Sequence, residues 1–427
     1  MKKYLLFATI AIAAMACTKV EVNEVPDAKI GFQVANYSVQ TKAADNSFLN
    51  ELSALGVTTG QAFKSAAYIN ADNGAGATTL NTYFSPSPET ISWNATNHVW
   101  EPSKDYYWPK SPLSNIDFFS WYDYENGTNP TLTYDGDEAS LVWSDRTVAY
   151  KSDILFANVA WHQKANTDPA LYGGSGVAEG VPTLFHHALA QVKFTVAIKT
   201  GCDKKVDSHD ATKYTFWDVT LSDVKIVNDE NVASVHKNGT LTLEMDDPES
   251  TTVAEPWNLP TNNIWADATS AIYINTATDW FTTDEATGAA VLTTTPASLN
   301  ATTYMPDNYL AVRPQAVTDD MLLNFTMTIK KYHGTTTEYA KTNHGECVAL
   351  DTEVIAVKSF ATTDTSDAYT ADGLLLNKIG PAYWAMNTRI AYNIIIDPTT
   401  TTILFDPAVE AWTTDDDNSV EIPKPAA

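Results

Sequence analysis

Apolar and polar residues alternate with a period of two in many short stretches of this chain. The clearest stretch is Leu184–Lys199, in which Val192 and Phe194 alternate with Lys193 and Thr195. Successive side chains of a β-strand point to opposite faces, so this period indicates strands with one buried face. An amphipathic helix would instead need apolar residues three or four positions apart. The chain is therefore predicted to be all-β.

The composition agrees with this prediction. Aromatic residues make up 11% of the chain, and there are 20 prolines. Aromatic and β-branched side chains fit pleated surfaces, while proline and glycine favour turns. One short helix is predicted at Phe48–Val57, which ends at a glycine. Further strands are predicted at Ala66–Asn70, Thr79–Phe84, Ile91–Asn94, Val99–Pro102, Ile116–Tyr122, Ser140–Val142, Tyr214–Val227, Leu241–Met245, Ser270–Asn275, Leu322–Tyr332, Ile390–Ile396, Ile403–Phe405 and Val409–Trp412.

Length and charge narrow the classes of function. The 427 residues are enough for two or three domains of ordinary size. A loop rich in glycine and alanine, Tyr172–Gly180, predicts a domain boundary near Val181. The chain has 52 Asp and Glu against 26 Lys and Arg, so it would repel a phosphate backbone. Nucleic acid is therefore excluded as an expected partner.

The N-terminus has the pattern of an export signal. Lys2 and Lys3 precede an apolar run, Tyr4–Ala16, which is too short to span a bilayer and ends at Cys17. Residues 1–17 are therefore predicted to be a cleaved signal peptide. The segment resembles the lipobox of bacterial lipoproteins, in which the cysteine is acylated, although Ala14 stands where leucine is usual. The alternative is an ordinary secretory signal in which Cys17 only follows the cleavage site.

Residues 18–42 combine a charged tether with a first strand. Ile30, Phe32 and Val34 alternate with small or polar residues, which predicts one buried face. The strand is followed by a polar loop containing Lys42. Such a loop is a favourable site for proteolysis.

Four motifs carry a resemblance to a known family. The motifs are Tyr106-Tyr-Trp-Pro109, Phe118-Phe-Ser-Trp-Tyr122, His187-Ala-Leu-Ala-Gln-Val-Lys-Phe194 and Ile403-Leu-Phe-Asp-Pro-Ala-Val-Glu-Ala-Trp412. Their order and spacing are more specific than any one of them. With these motifs the chain resembles the fimbrillin family of Bacteroidales, and the resemblance extends from the signal to the last strand.

This resemblance implies two transthyretin-like β-sandwich domains in tandem, at residues 43–181 and 182–427. It also implies export as a palmitoylated lipoprotein, through Cys17, to the outer membrane and then to a surface fimbria of the type V pilus class. A protease would cut after Lys42 and remove the strand that carries Ile30, Phe32 and Val34. The family protease often prefers arginine, and the first arginine of this chain is Arg146.

In such a pilus, a strand from a neighbouring subunit fills the opened core, which is a form of β-augmentation. The partners implied are other pilus subunits and a ligand on a host or bacterial surface. Val409, Trp412, Val420 and Ile422 are the candidate donor residues. The alternative is that they belong to the final strand of their own domain.

Two other functions stay open at this stage. The chain could be the anchor or tip subunit of the same pilus, which keeps its first strand or lacks a usable donor. It could also be a surface glycan-binding lipoprotein that uses exposed Trp and Tyr. The stretch Tyr106–Trp108 could stack on sugar rings, but aromatic residues also dominate cores, and a core position is favoured.

No enzyme, cofactor or metal is predicted. His186 and His187 are neighbours in a strand, so their side chains point to opposite faces and could not easily share one ion. Asp415–Val420 departs from a calcium loop because valine stands at the glycine position. The run Gly173–Val177 departs from a nucleophile elbow, because valine replaces the last glycine.

Two cysteines remain besides Cys17. Cys202 and Cys347 could form a disulfide in an oxidising, exported setting. Their separation in the sequence leaves the question open, since geometry decides it.

Overall fold

The computed structural model confirms that the protein is all-β. It describes residues 29–36, 60–72, 78–96, 99–109, 114–123, 129–149, 153–164, 180–228, 230, 232–246, 265–281, 291–299, 309–356, 369–370, 373–399 and 402–411. Apart from strands, these residues form two single-turn helices, α1 (Thr276–Asp279) and α2 (Thr336–Tyr339), and one 3-10 turn at Thr342–His344. No helix in this part of the chain is long and apolar enough to cross a membrane.

Twelve strands are described between residues 32 and 198. They are β1 (Phe32–Asn36), β2 (Ala62–Asp72), β3 (Thr78–Thr82), β4 (Glu89–Asn94), β5 (Val99–Pro102), β6 (Asn115–Asp123), β7 (Thr131–Tyr134), β8 (Glu138–Thr147), β9 (Ile154–Ala157), β10 (Ala160–Gln163), β11 (Val181–His187) and β12 (Ala190–Ile198).

The remaining strands include the longest ones of the chain. They are β13 (Lys204–Val206), β14 (Tyr214–Val227), β15 (Asn238–Asp246), β16 (Trp265–Asp267), β17 (Ala297–Ser298), β18 (Leu310–Val312), β19 (Gln315–Ala316), β20 (Leu322–Gly334), β21 (Val348–Ala356), β22 (Tyr369–Thr370), β23 (Gly373–Leu375), β24 (Tyr383–Trp384), β25 (Thr388–Asp397) and β26 (Thr402–Ala411).

A nine-stranded sheet closes on itself near the N-terminus. Its order is β10-β6-β9-β11-β1-β5-β4-β2-β3, and β2 also pairs with β6. Seven strands therefore form a ring, β6-β9-β11-β1-β5-β4-β2, which leaves no free edge among them. Every strand of the ring contributes buried side chains to one cluster, here called the ring core.

A second cluster lies on the outer side of the ring. Strand β6 shows why, because its successive residues belong to different cores: Phe118 to the ring core, and Phe119 and Trp121 to this second cluster. The same cluster takes side chains from a four-stranded sheet, β16-β15-β8-β7. We call it the outer core. Strands of the ring are thus covered on both faces where this sheet packs.

The third cluster, the sandwich core, fills a two-sheet sandwich. One sheet has β12 between β17 and β25, with β26 at its edge, and the other contains β14, β20 and β21. The apolar face predicted for β12 is buried, since Val192, Phe194 and Val196 are all within 1% exposure. Its other face is not solvent-exposed as the alternation predicts, because Gln191, Thr195 and Ala197 are buried as well and only Lys193 is partly exposed. Strands β12 and β25 run parallel over eight residue pairs.

Four strand predictions need correction. The single run predicted at Leu184–Lys199 is two strands, β11 and β12, because the chain passes from the ring to the sandwich at the buried pair Ala188 and Leu189. Ile403–Phe405 and Val409–Trp412 are joined in one strand, β26. The proline inside this strand is tolerated because β26 lies at a sheet edge.

The predicted strand Ser270–Asn275 is wrong. Side-chain hydrogen bonds hold this segment: Asn238 Nδ2 donates to the Ser270 carbonyl at 3.0 Å, and the Ile272 amide donates to Asn238 Oδ1 at 2.7 Å. Backbone pairing is limited to one antiparallel bridge between Tyr273 and His236, with the Lys237 amide donating to the Ile272 carbonyl and the Ile274 amide to the Val235 carbonyl, so the segment does not extend into a strand.

Candidate functional site

Strand β1 closes the ring between β11 and β5. It runs parallel to β11 over five residue pairs, from Phe32 opposite Val181 onward, and it meets β5 in antiparallel orientation where Phe32 faces Trp100. Just before the strand, the Ile30 amide donates to the Tyr106 carbonyl at 2.8 Å. The Val181 amide donates to the Gly31 carbonyl at 2.7 Å. Backbone pairing therefore connects this short segment to β11 on one side, and to β5 and Tyr106 on the other.

The apolar face of this segment lies in the ring core, as the alternation predicts. Ile30, Phe32 and Val34 are 2%, 4% and 3% exposed. Burial of three such side chains stabilises the ring by roughly 5–9 kcal/mol, before the cost of ordering is subtracted. Removing the segment would uncover a groove along β11 and β5.

Aromatic rings surround the middle residue of the segment. The ring centroid of Phe32 lies 5.6 Å from that of Phe63 and 5.7 Å from that of Phe118, both edge to face. The ring of Phe84 is 6.5 Å away. Edge-to-face pairs of this kind add about 0.5–1.5 kcal/mol each beyond area burial. Sequence reasoning did not find these partners, because they lie 31 to 86 positions further along the chain.

Tyr106 and Trp108 pack at the ring core, which agrees with the core position that the sequence favours for this stretch. Trp108 is 8% exposed and packs edge to face on Phe118 at 5.9 Å. The Tyr106 hydroxyl donates to Glu89 Oε2 at 3.1 Å, and Tyr107 is exposed.

No tryptophan among the residues that the structure describes is exposed enough to stack openly on a sugar ring. Ten of the twelve tryptophans fall within the residues that the structure describes, and each of the ten is buried or half-buried. Trp257 and Trp412 lie outside those residues.

The proteolysis and lipidation sites lie outside the described residues. This applies to Cys17 and Lys42, and to the predicted helix Phe48–Val57. The described part of β1 ends at Asn36. Cleavage and acylation therefore stay predictions.

The candidate donor residues are only partly within the described chain. Val409 lies in β26 opposite Ile390 and is 56% exposed. Trp412, Val420 and Ile422 fall outside the described residues. Val409 is thus part of an edge strand of its own sheet in this structure, and the use of the segment as a donor stays a prediction.

Strand pairing also crosses the predicted domain boundary. Strand β15, which follows Val181 in the sequence, pairs with β8 over eight residue pairs. The division at residues 43–181 and 182–427 stays a prediction.

The two neighbouring histidines have separate partners. His187 Nδ1 lies 3.0 Å from Asp153 Oδ2, whereas His186 Nε2 lies 2.6 Å from Asn158 Oδ1. Burial lowers the pKa of His186 to about 4, so it is neutral at physiological pH. Within the described ranges, no group of three His, Cys, Asp or Glu side chains is placed to hold a metal ion.

The structure leaves both later cysteines as free thiols, so the disulfide is not formed in it. Cys202 lies beside Asp397, and desolvation raises the pKa of its thiol. Desolvation also raises the pKa of Cys347, near Glu338. Neither thiol is therefore activated as a nucleophile.

Comparison with known proteins gives structural neighbours only. No family model matches the chain, and no curated protein matches it. A fimbrial protein from Bacteroides vulgatus has a TM-score of 0.47 and 15% identity over 90% of this chain and 99% of its own. A candidate cell adhesion protein from Bacteroides uniformis has a TM-score of 0.32 and 15% identity over 91% and 99%.

A third neighbour is the tip fimbrial protein Mfa3 from Porphyromonas gingivalis. It has a TM-score of 0.28 and 9% identity, over 82% of this chain and 95% of its own. These three neighbours are fimbrial and adhesion proteins.

Proposed function

We propose that this chain is a structural subunit of a surface fimbria that polymerises by donor-strand exchange. It is exported as a lipoprotein acylated at Cys17, cut after Lys42, and joined to other pilus subunits to support adhesion. The observation that carries the proposal is the position of β1. This strand precedes the predicted cleavage loop in the sequence, and together with Ile30 just before it, it places three apolar side chains in the ring core.

The proposal follows from what cleavage would do to the ring. Once the covalent link is cut, β1 is held only by its backbone bonds and by the burial of Ile30, Phe32 and Val34. An incoming strand with similar side chains can replace every one of these contacts. Replacement is close to neutral in free energy, because the groove exchanges one matching strand for another.

The C-terminal segment that contains Trp412, Val420 and Ile422 is the proposed donor to the next subunit. It follows β26, which is bonded to β25 over ten residue pairs. That pairing would tie the donated segment firmly to the subunit that supplies it. The fibre would then carry load through backbone hydrogen bonds and through β26.

Terminal sequencing of the protein from its native cell surface tests the cleavage step. The expected first residue is Ala43 in the fibre, and Cys17 in the precursor. A Lys42→Ala variant should keep Cys17 and lose the heat-labile ladder of polymers on gels, while Lys19→Ala, in the same tether, should leave both unchanged. A native surface protein that starts at Cys17 and forms no ladder would overturn assembly as a stalk subunit.

The second candidate is the anchor subunit of the same pilus, and the lysine at position 42 favours it. A protease specific for arginine would leave β1 in its place, and the lipid would then hold the subunit in the outer membrane. Deletion of Asn418–Ala427 separates these roles from that of a tip. A stalk subunit should stop extending after the deletion, whereas a tip should still be incorporated.

A further inference from the structure

The segment that fills the groove between β11 and β5 has a defined order of side chains. Its middle position holds an aromatic ring, Phe32, between the rings of Phe63 and Phe118. The positions two residues away on either side hold the aliphatic side chains of Ile30 and Val34. The matching strand is therefore aliphatic-x-aromatic-x-aliphatic, and it runs parallel to β11.

Three other segments of this chain have the same order of side chains. Each lies in a strand of the sandwich core with its middle residue at most 3% exposed. Donating any of them would remove a central part of that core. The segments are Val192–Val196 in β12, Leu323–Met327 in β20 and Ile390–Ile394 in β25.

The C-terminal tail does not have this order. Its aromatic residue beyond β26, Trp412, is flanked two positions away by the polar residues Glu410 and Thr414. Val420 and Ile422 supply two aliphatic side chains but no ring. A strand built on them would leave the space of Phe32 underfilled, and voids of this kind are costly in a packed core.

We infer that the groove of this chain takes a strand from a different protein chain rather than from a second copy. The partner strand carries an aromatic side chain flanked two positions away on both sides by aliphatic ones. This inference rests on the strand exchange proposed above and names its partner. The tail of this chain then serves a neighbour with a differently shaped groove.

The test uses the full chain with a site for a specific protease placed at residues 40–45. After cutting, the fragment that carries β1 stays bound without a covalent link. Labelled peptides are added in sub-denaturing urea, and native mass spectrometry follows displacement of the fragment. The peptides are a copy of residues 29–36, the same copy with Phe32→Val, the matched control copy with Ile30→Val, and the tail 418–427.

The copy of residues 29–36 should bind, and the Ile30→Val copy should bind within several-fold of it. The Phe32→Val copy should bind at least about 10-fold more weakly than the Ile30→Val copy, because the apolar space lost is larger. The tail peptide should not displace the fragment. Equal binding of the tail and the copy would overturn the inference, as would equal binding of the two substituted copies. If even the copy fails to enter a chain that remains folded, strand exchange itself is wrong.

Discussion

A Phe32→Ala substitution tests whether β1 opens as a unit separate from the rest of the fold. The side chain is 4% exposed and contacts three aromatic rings. Truncation of a buried phenylalanine costs about 3–5 kcal/mol, which includes the cavity left behind. Because all three of these aromatic contacts are lost when β1 leaves, the loss should fall mainly on the closed state of β1.

Hydrogen exchange measures this loss directly. The amides of Ile30 and Val181 donate to partners across the two borders of β1, so they exchange when β1 leaves. A loss of 3–5 kcal/mol corresponds to faster exchange by about two to four decades at these amides. The amide of Ile274, which donates to the Val235 carbonyl beside the sandwich core, should be unchanged.

The matched control is Val409→Ala, an exposed valine for which a change below about 0.5 kcal/mol is expected. Two results would refute the reasoning. Uniform acceleration at the amides of Val181 and Ile274 would mean that β1 opens only with the whole molecule. No acceleration at Val181 would mean that the ring core does not hold the strand.

Three further predictions concern other buried groups. Burial lowers the pKa of His186 from 6.5 to about 4, so its contribution to the free energy of unfolding is complete above pH 6.5 and falls by on the order of 3 kcal/mol as the pH drops to 4. His186→Gln should remove that part of the pH dependence in urea titrations, and an unchanged pH dependence would contradict the assignment. Arg146→Met should cost about 3–5 kcal/mol in the same assay, because it leaves the buried carboxylate of Asp123, 2.6 Å away, without its ion pair. Lys29→Met, at the exposed ion pair with Asp105, should cost far less, and equal losses would contradict this. Peptide mapping without reductant should find Cys202 and Cys347 unlinked, and a linked peptide would refute the free-thiol structure.

Sequence patterns predicted local elements best where one strand face is buried. The bounds of β14, Tyr214–Val227, and of β5, Val99–Pro102, agree with the structure, because their apolar residues and flanking turn residues are both local signals. Strands β9 and β11 are harder to recognise. In β9 all four residues are buried, so the period of two disappears.

Non-local pairing is what the sequence could not show. The alternation of Ile30, Phe32 and Val34 predicts a buried face, and the structure confirms it. Nothing near these residues indicates that β2 pairs with β6 and closes a ring around them. The break after His187 was also missed, since hydrophobicity continues through it while the chain changes sheet.

Strand β6 contributes side chains to both the ring core and the outer core, and this bears on the proposed strand exchange. Phe119 and Trp121 of β6 pack in the outer core against the sheet β16-β15-β8-β7. In the strand order of the ring, β2 and β6 lie opposite β1. If β1 departs as proposed, this side of the ring keeps its contacts with the outer core, and β5 and β11 border the open groove. The outer core contains no residue of β1, so its contacts would remain to support the open groove until a partner strand enters.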